Sequence, residues 1–248
     1  MEPEPKSKAD KTYKRILDSA AQVFRERGYS DTRLVDIAAR AELQTGSLYY
    51  HFRSREELVE AVLSEGFGYA RDLVTSQLDD LPDTASSVDV LEVAIRSHLH
   101  AVFDKRAYTS AAIRIISHVP TEIHDRHVAA RSSYVELWRR LIENAVDAGA
   151  IRADINQSII RETIIGALNW SAEWYEPDGS LSADDVSDQL SRLLLDSLLY
   201  GVHGNIGPAA TQVQGVGKGR KPTIKVPTAD VIGDNGRQGA PRSGRQPA

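Results

Sequence analysis

The chain contains no cysteine among its 248 residues. Disulfide bonds, thiolate catalysis and cysteine-ligated zinc are therefore excluded, and the composition fits the reducing cytoplasm, where we expect the protein to reside. No stretch approaches the roughly twenty consecutive apolar residues that a membrane helix needs, and the N-terminus lacks the basic-then-apolar order of a secretion signal. We therefore expect neither contact with a membrane nor export.

The sequence also lacks the short motifs of common catalytic sites. G-x-S-x-G, H-E-x-x-H, a P-loop and G-x-G-x-x-G are absent, so no nucleophile, metal-bound water or phosphate cradle is indicated. His124 and His127 are close enough in sequence to share a metal, whereas His98 and His100 lie on opposite sides of one predicted helix. Because the spacing supplies no third ligand, we expect no metal, no cofactor and no enzymatic activity.

Apolar residues recur at helical spacing along most of the chain, and no alternating run is long enough for a strand. The predicted fold class is all-α. Helix-stop signals such as Gly28, Pro82, Pro120 and Gly149 separate the periodic segments. The predicted helices cover residues 9–28, 34–41, 44–50, 56–81, 87–104, 107–118, 121–148, 156–175 and 182–203.

Composition divides the chain into three predicted parts. Residues 1–56 hold eleven Lys or Arg against nine Asp or Glu, although the whole chain has a net charge of −5, and this asymmetry favours contact with a polyanion. Residues 57–203 form a larger helical domain. Residues 204–248 are rich in glycine and proline and carry seven Lys or Arg against two Asp or Glu. We expect this basic tail to be disordered, as a nucleic-acid tether or a solubilising extension.

Residues 32–58, TRLVDIAARAELQTGSLYYHFRSREEL, have the pattern of a helix-turn-helix. Leu34, Ile37 and Ala38 form the apolar face of a short first helix, and Gln44 begins a second helix after a tight connection. The outward positions of the second helix carry short polar groups suited to base edges, followed by phenols long enough to reach phosphates. Double-stranded DNA is therefore the expected partner.

This stretch resembles the DNA-binding domain of the TetR family of bacterial transcriptional regulators, whose usual pattern is T-[ST]-x-x-[DE]-I-A-x-x-A-G-V-[ST]-x-G-[ST]-x-Y-x-[HY]-F-x-[SN]-K-x-x-L. The sequence departs from that pattern at Arg33, Glu42, Gln44 and Arg55. The DNA-binding residues that the motif and the resemblance indicate are Arg33, Val35, Gln44, Thr45, Gly46, Ser47, Tyr49, Tyr50, His51 and Arg55.

Three of these four departures affect helix ends or base contacts. Arg33 removes the usual hydroxyl cap of the first helix, which leaves Thr32 or Asp31 to cap it. Glu42 occupies a turn position where Gly usually supplies a positive φ. Gln44 replaces a Ser or Thr cap by an amide that suits adenine, so the operator preference differs from that of relatives with the usual residue.

The resemblance implies a three-helix helix-turn-helix domain followed by a six-helix ligand-binding and dimerisation domain, whose last two helices form a four-helix bundle with a second subunit. The residues themselves favour a homodimer, because residues 182–203 carry a leucine stripe and the preceding helix has a surface of small residues, Gly166, Ala167 and Ser171. Two recognition helices one duplex turn apart also match a palindrome. The expected function is a repressor of a lipid or other catabolic operon, released from a palindromic operator by a small-molecule effector.

Residues 169–186, NWSAEWYEPDGSLSADDV, resemble the same region of TetR-type repressors of fatty-acid and steroid degradation, whose effectors are acyl-CoA thioesters. Trp170 and Trp174 share a helix face and supply an apolar wall, while arginines such as Arg114 and Arg131 suit an anionic group. The expected effector is a small apolar molecule or an acyl-CoA. The candidate effector-binding residues are Arg114, Trp138, Trp170 and Trp174.

Two other functions remain compatible with the sequence. An architectural, nonspecific DNA-binding protein would use the same first domain together with the basic tail, and would show no operator preference. A helical small-molecule-binding protein with a degenerate DNA domain would bind a ligand and would fail to bind DNA even at low salt.

Overall fold

The computed structural model describes residues 7–104 and 106–199. Within these ranges the chain is all-helical, as expected, and the predicted disordered tail at residues 204–248 lies outside them. None of the described helices is both long and apolar enough to cross a membrane. The helices are α1 Lys8–Arg27, α2 Leu34–Arg40, α3 Thr45–His51, α4 Arg55–Asp79, α5 Ser87–Phe103, α6 Tyr108–Ile115, α7 Thr121–Ala130, α8 Ser132–Asp147, α9 Gln157–Trp174 and α10 Ala183–Leu199, with a 3₁₀ turn at Ile116–His118 after α6.

Short polar side chains cap the starts of several helices, where they accept hydrogen bonds from backbone N–H groups that would otherwise be unpaired. Ser7 accepts from the Asp10 N–H at 3.1 Å at the start of α1, and Ser54 accepts from the Glu57 N–H at the same distance at the start of α4. Gly28 ends α1 with φ +74°, and its N–H bonds to Phe24 O at 2.8 Å. These ends depend on local hydrogen bonds, which explains why the sequence predicts them closely.

The single helix predicted for residues 121–148 is wrong. Two helices, α7 and α8, meet at Arg131, so seven helices rather than six follow the helix-turn-helix in the described part of the chain. Arg131 has φ −82° and ψ −5°, which turns its peptide out of the regular α-helical ladder while staying in the right-handed region. The apolar period therefore continues across the break, and periodicity alone does not detect it.

The first of two hydrophobic cores lies beneath the helix-turn-helix and extends beyond it. Phe24 of α1, Leu48 of α3 and Phe52 are each buried to 1% exposure or less. Ala111 and Ile115 of α6 belong to the same core. Because α6 packs directly against the DNA-binding helices, a displacement of α6 reaches them through side-chain contact.

The second core joins the later part of α4 to α5, α8, α9 and α10. Its fully buried side chains include Val74, Leu91, Ile95, Trp138 and Leu168. Helix α4 contributes side chains to both cores. A change in its tilt would therefore be felt in the first core and in the second.

The backbones of α4 and α6 approach each other closely at Gly66. A Cβ atom at this position would lie 2.3 Å from Tyr108 O and 2.7 Å from the Ala112 Cβ. Thr109 Oγ1 donates to Gly66 O at 3.0 Å across the same crossing. Only glycine permits this contact, which holds α6 against α4.

The leucine stripe of α10 divides between two environments. Val186, Leu194 and Leu198 are buried within the protomer, whereas Leu193 is 66% exposed. On α9, Trp170 is also exposed, and Gly166 has no atom within 4 Å of the position its Cβ would occupy. An apolar surface on these two helices therefore stays uncovered in the isolated protomer, as a helix pair that needs a partner would leave it.

Candidate DNA-binding and effector-binding sites

Helix α3 is held from below and leaves its outer face free. Leu48 is fully buried, and Phe52 closes the helix by donating its N–H to Leu48 O at 2.9 Å. Tyr49 and Tyr50 are 52% and 84% exposed. The short polar candidates at the start of the helix, Gln44 and Ser47, are exposed, as is Gly46, whereas Thr45 is half-buried.

The turn between α2 and α3 requires a left-handed residue, and the sequence places Glu42 there. Glu42 has φ +53°. Its N–H bonds to Ala39 O at 3.1 Å and the Leu43 N–H bonds to Ala38 O at 2.9 Å, which is the hydrogen-bond pair of a Schellman helix end. The glycine pattern of the family therefore reports a real conformational demand, and this chain meets it with a residue that adopts the conformation less readily.

The start of α2 does not use the cap that the sequence suggested. The N-cap is Arg33, and its N–H donates to Asp36 Oδ2 at 3.2 Å. Thr32 is buried and donates to Gly28 O at 2.6 Å, which ties the loop to the end of α1. Asp36 also pairs with Arg27 at 3.0 Å. The Arg33 and Val35 side chains point outward as exposed groups beside the helix-turn-helix.

Two predicted phosphate-contacting residues have partners within the protein. The Arg55 guanidinium donates to Tyr29 O and lies 4.0 Å from the centre of the Tyr29 ring. The His51 ring makes an edge contact with Tyr50 at 5.2 Å between ring centres. Tyr13 of α1 stacks on Phe52 at 4.9 Å. Arg55 therefore ties the start of α4 to the loop after α1, and its predicted phosphate contact stays a prediction.

The four candidate effector-binding residues differ in burial and in partners, and their common use stays a prediction. Trp138 is 1% exposed within the second core, whereas Trp170 and Trp174 are 62% and 46% exposed on α9. Arg114 pairs with Glu173 at 3.5 Å. Trp170 and Trp174 thus belong to the uncovered α9 surface, and Trp138 belongs to the protomer interior.

A buried polar network around Trp138 was missed by the sequence analysis. His98 Nδ1 lies 2.8 Å from the Tyr134 hydroxyl oxygen, and His98 Nε2 lies 3.1 Å from Asn169 Oδ1. Burial lowers the pKa of His98 to about 4, although the Asn169 contact acts in the opposite direction. The imidazole is therefore neutral at physiological pH. The spacing of Tyr134 and Trp138 by four residues was the only local signal, because the other partners are distant in sequence.

Family comparisons agree with this arrangement. The model described as "Bacterial regulatory proteins, tetR family" matches residues 16–62, and the model described as "Tetracyclin repressor-like, C-terminal domain" matches residues 84–198. The chain belongs to the TetR family. The resemblance seen in residues 32–58 is thereby confirmed, and the second match extends it over α5 to α10.

Individual relatives cover most of the described helices. The transcriptional repressor KstR2 of Rhodococcus jostii is 29% identical over 188 residues, which span 74% of this chain and 89% of the relative. The solved structure of the probable transcriptional regulatory protein RHA5900 is 30% identical, with a TM-score of 0.62, and covers 75% of this chain and 98% of its own.

A third comparison concerns the fold. AibR, solved in complex with isovaleryl coenzyme A and operator DNA, is 23% identical with a TM-score of 0.66, over 74% of this chain and 98% of AibR. In TetR-family terms, every DNA-binding candidate from Arg33 to Arg55 lies in the first matched region. Every effector-binding candidate from Arg114 to Trp174 lies in the second.

Proposed function

We propose that the protein is a homodimeric, cytoplasmic repressor that binds a palindromic operator through α3 and leaves it when a small-molecule effector occupies the helical domain. Residues 1–56 would bind DNA, and residues 57–203 would bind the effector and the second subunit. The effector class that we favour is an acyl-CoA or a similar lipid-derived acid, and the regulated genes would serve its breakdown.

The observation that carries the proposal is the outer face of α3. Tyr49 and Tyr50 are exposed large side chains on a helix whose inner face is fixed by buried Leu48. These aromatic rings on a seven-residue helix lie outside the buried core cluster, and phenol oxygens suit phosphate contacts beside base-contacting polar groups. Membership of a family of regulatory DNA-binding proteins supports the same use.

Support for a dimer comes from the uncovered α9 and α10 surface. Trp170, Trp174 and Leu193 are exposed together with Ile159. Burial of such side chains against a second copy removes apolar surface from water and stabilises the dimer. Two copies related by a two-fold axis then present two α3 helices to a palindrome.

Two relatives support a small-molecule effector and a repressor function, respectively. AibR was solved with isovaleryl coenzyme A, and KstR2 is named a transcriptional repressor. The mechanism is a shift between two conformations, in which the effector prefers the one whose α3 helices no longer fit successive major grooves. The route runs through α6, which packs in the first core, and through α4, which belongs to both cores.

Operator binding by the full-length protein tests the proposal. Fluorescence anisotropy with the palindromic segment upstream of its own gene should give tight binding that weakens steeply with salt, whereas scrambled DNA should bind weakly. The Tyr49→Ala, Tyr50→Ala double variant should lose most of this affinity. Arg140→Ala, an exposed change on α8, should retain it.

Three results would contradict the proposal. Equal affinity for palindrome and scrambled DNA would favour an architectural DNA-binding protein. Failure to bind any DNA at low salt would favour a ligand-binding protein with a degenerate DNA domain. Full affinity in the double tyrosine variant would remove α3 from the interface.

A further inference from the structure

The last turn of α9 ties the uncovered apolar surface to the rest of the protomer. Trp174 belongs to that surface, and the neighbouring Glu173 pairs with Arg114 of α6, with 3.5 Å between Glu173 Oε2 and Arg114 Nη1. Tyr175, which ends α9, packs on Phe103 at the end of α5, with 4.2 Å between ring centres. The helix that carries the exposed tryptophans is thus attached to both α5 and α6.

The Arg114 side chain also lies beside the end of α1. A Cβ atom on Gly28 would be 3.8 Å from Arg114 Nε, which is an ordinary van der Waals distance. Gly28 ends α1, and its carbonyl oxygen accepts the hydroxyl hydrogen of Thr32 in the loop that leads to α2. Arg114 therefore lies next to the backbone that enters the helix-turn-helix while it pairs with the last turn of α9.

Helix α6 packs with the DNA-binding helices along its length. At its start, the Tyr108 hydroxyl donates to Asp18 of α1. Near its end, Ile115 lies in the first core with residues of α1, α2 and α3. Because packed helices move together, α6 and the helix-turn-helix form one unit. The pair between Arg114 and Glu173 joins this unit to α9.

The attachment of each DNA-binding unit to the dimer surface determines how far apart the two α3 helices lie. One additional base pair between two half-sites moves one of them by about 3.4 Å and rotates it by roughly 35° around the duplex. A dimer rejects that operator only if the attachments of its two DNA-binding units resist this displacement. Residues that stiffen the attachment therefore determine the selectivity for half-site spacing.

We propose that Arg114 is a positioning residue that sets the half-site spacing which the protein accepts. By pairing with Glu173 and lying against Gly28, it fixes the DNA-binding unit relative to the dimer surface. This inference rests on the proposed function, because it requires the homodimer and the palindromic operator. It assigns Arg114 a role within the protein in place of the effector contact suggested by the sequence.

Operators with altered spacing test the selectivity of the full-length protein. The probes are the palindromic segment upstream of its own gene and versions with one base pair more or fewer between the half-sites, measured by fluorescence anisotropy. The unaltered protein should bind the altered versions at least about thirtyfold more weakly, because one subunit loses its groove contacts. Arg114→Met keeps the aliphatic stem without the charge. It should reduce this discrimination by about three- to tenfold, since a dimer contains the ion pair twice.

The distance between the two DNA-binding units provides a second measurement that needs no DNA. Because the chain has no cysteine, Ser30→Cys in the exposed loop after α1 accepts one spin label per subunit. Double electron–electron resonance should give a narrow distribution of label distances in the otherwise unaltered dimer. Arg114→Met and Glu173→Gln should each widen or shift it. A residue that only stabilises the fold would lower the melting temperature without changing this distribution.

Charge reversal provides the rescue. Arg114→Glu and Glu173→Arg alone should each weaken the discrimination between spacings. The double variant should recover most of it, because opposite charges again face each other across the same two positions. Melting curves identify any variant that fails to fold, and Glu173→Gln then replaces it.

Arg96→Met is the matched control. Arg96 pairs with Asp188 between α5 and α10, so the variant also removes an ion pair between helices, but one that involves neither α1 nor α6. Its spacing selectivity and its label distances should equal those of the unaltered protein. Equal changes in Arg96→Met and Arg114→Met would mean that any loss of an interhelical ion pair loosens the dimer, which contradicts a specific role of Arg114.

Unchanged selectivity and unchanged label distances in Arg114→Met would also overturn the inference, as would a charge-reversed double variant that stays as unselective as the single variants. Sedimentation and affinity for the unaltered palindrome, measured in the same preparations, report on the proposed function. A monomer, or a protein that does not bind the palindrome, contradicts the repressor itself. A dimer that binds the palindrome tightly but accepts all spacings equally contradicts only the role of Arg114.

Discussion

Tyr108 at the start of α6 donates its hydroxyl hydrogen to Asp18 of α1, across 90 residues of sequence. Burial raises the pKa of Tyr108 first of all, and the Asp18 carboxylate raises it further, so the phenol stays protonated as a donor. The same helix contacts α4 through Thr109 and Gly66. Helix α6 is thus attached both to the first helix of the DNA-binding region and to α4, which extends into the second core.

Replacing Tyr108 by Phe removes the hydrogen bond between α6 and α1. A hydrogen bond to a charged group contributes roughly 1.5–3 kcal/mol, and we expect a loss of this size in the free energy of unfolding measured with urea. Effector-induced release from the operator should also weaken, because a movement of α6 is then no longer transmitted to α1 through this hydrogen bond. Tyr69→Phe is the matched control. It removes a 3.2 Å hydrogen bond to Asp104 that does not involve α1, so it should leave the release unchanged.

Replacing Glu42 by Gly relieves the left-handed turn between α2 and α3. A non-glycine residue in this conformation costs about 1–2 kcal/mol, which glycine avoids at the expense of some unfolded-state entropy. We expect a net gain of about 1 kcal/mol in urea denaturation. Ala39→Gly, an exposed change within α2, should lose about as much. Destabilisation by Glu42→Gly would show that the carboxylate has a structural role.

Gly66 and Gly68 of α4 form a matched pair that tests the contact with α6. An alanine at 66 would place its Cβ 2.3 Å from Tyr108 O, whereas nothing lies within 4 Å of a Cβ at 68. Gly66→Ala should therefore separate the helices and cost about 3 kcal/mol or more. Gly68→Ala should stabilise by about 0.5–1 kcal/mol through helix propensity. Thermal melts of both variants measure the difference, and similar melting temperatures would refute the close contact.

His98 makes stability depend on pH. Its pKa falls from the ordinary 6.5 to about 4 in the folded protein, so the unfolded chain takes up a proton that the folded chain excludes. Stability is full above pH 6.5 and falls as the pH drops towards 4, by up to roughly 3 kcal/mol. His98→Gln should flatten this part of the profile of unfolding free energy against pH. The variant His124→Gln, at a half-buried position on α7, should keep the slope. An unchanged slope in His98→Gln would contradict the buried neutral imidazole.

Local interactions made the helix-turn-helix predictable. The periodicity around Ile37, the cap at Ser54 and the glycine that ends α1 each involve residues within about four positions of one another. Even the positive φ at Glu42 could be anticipated, because a family pattern with glycine there indicates the backbone conformation rather than a side-chain contact.

Contacts between distant segments were not predictable in this way. Arg55 contacts Tyr29 across 26 residues, and His98 contacts Tyr134 and Asn169 across 36 and 71 residues. The break at Arg131 also escaped prediction, since both helices keep the same apolar phase. Trp170 and Trp138 have the same residue type and similar helical settings, yet one is exposed and the other is buried.

The amino-acid sequence alone established the all-α class, most helix boundaries and the family of the DNA-binding region, because each depends on periodicity and hydrogen bonds within a few residues. Tertiary packing determined which faces of those helices meet. It placed α6 beneath the helix-turn-helix and buried a neutral His98 beside Tyr134. Helical periodicity predicts that a face is apolar. Which neighbouring element covers that face depends on the packing of the whole core.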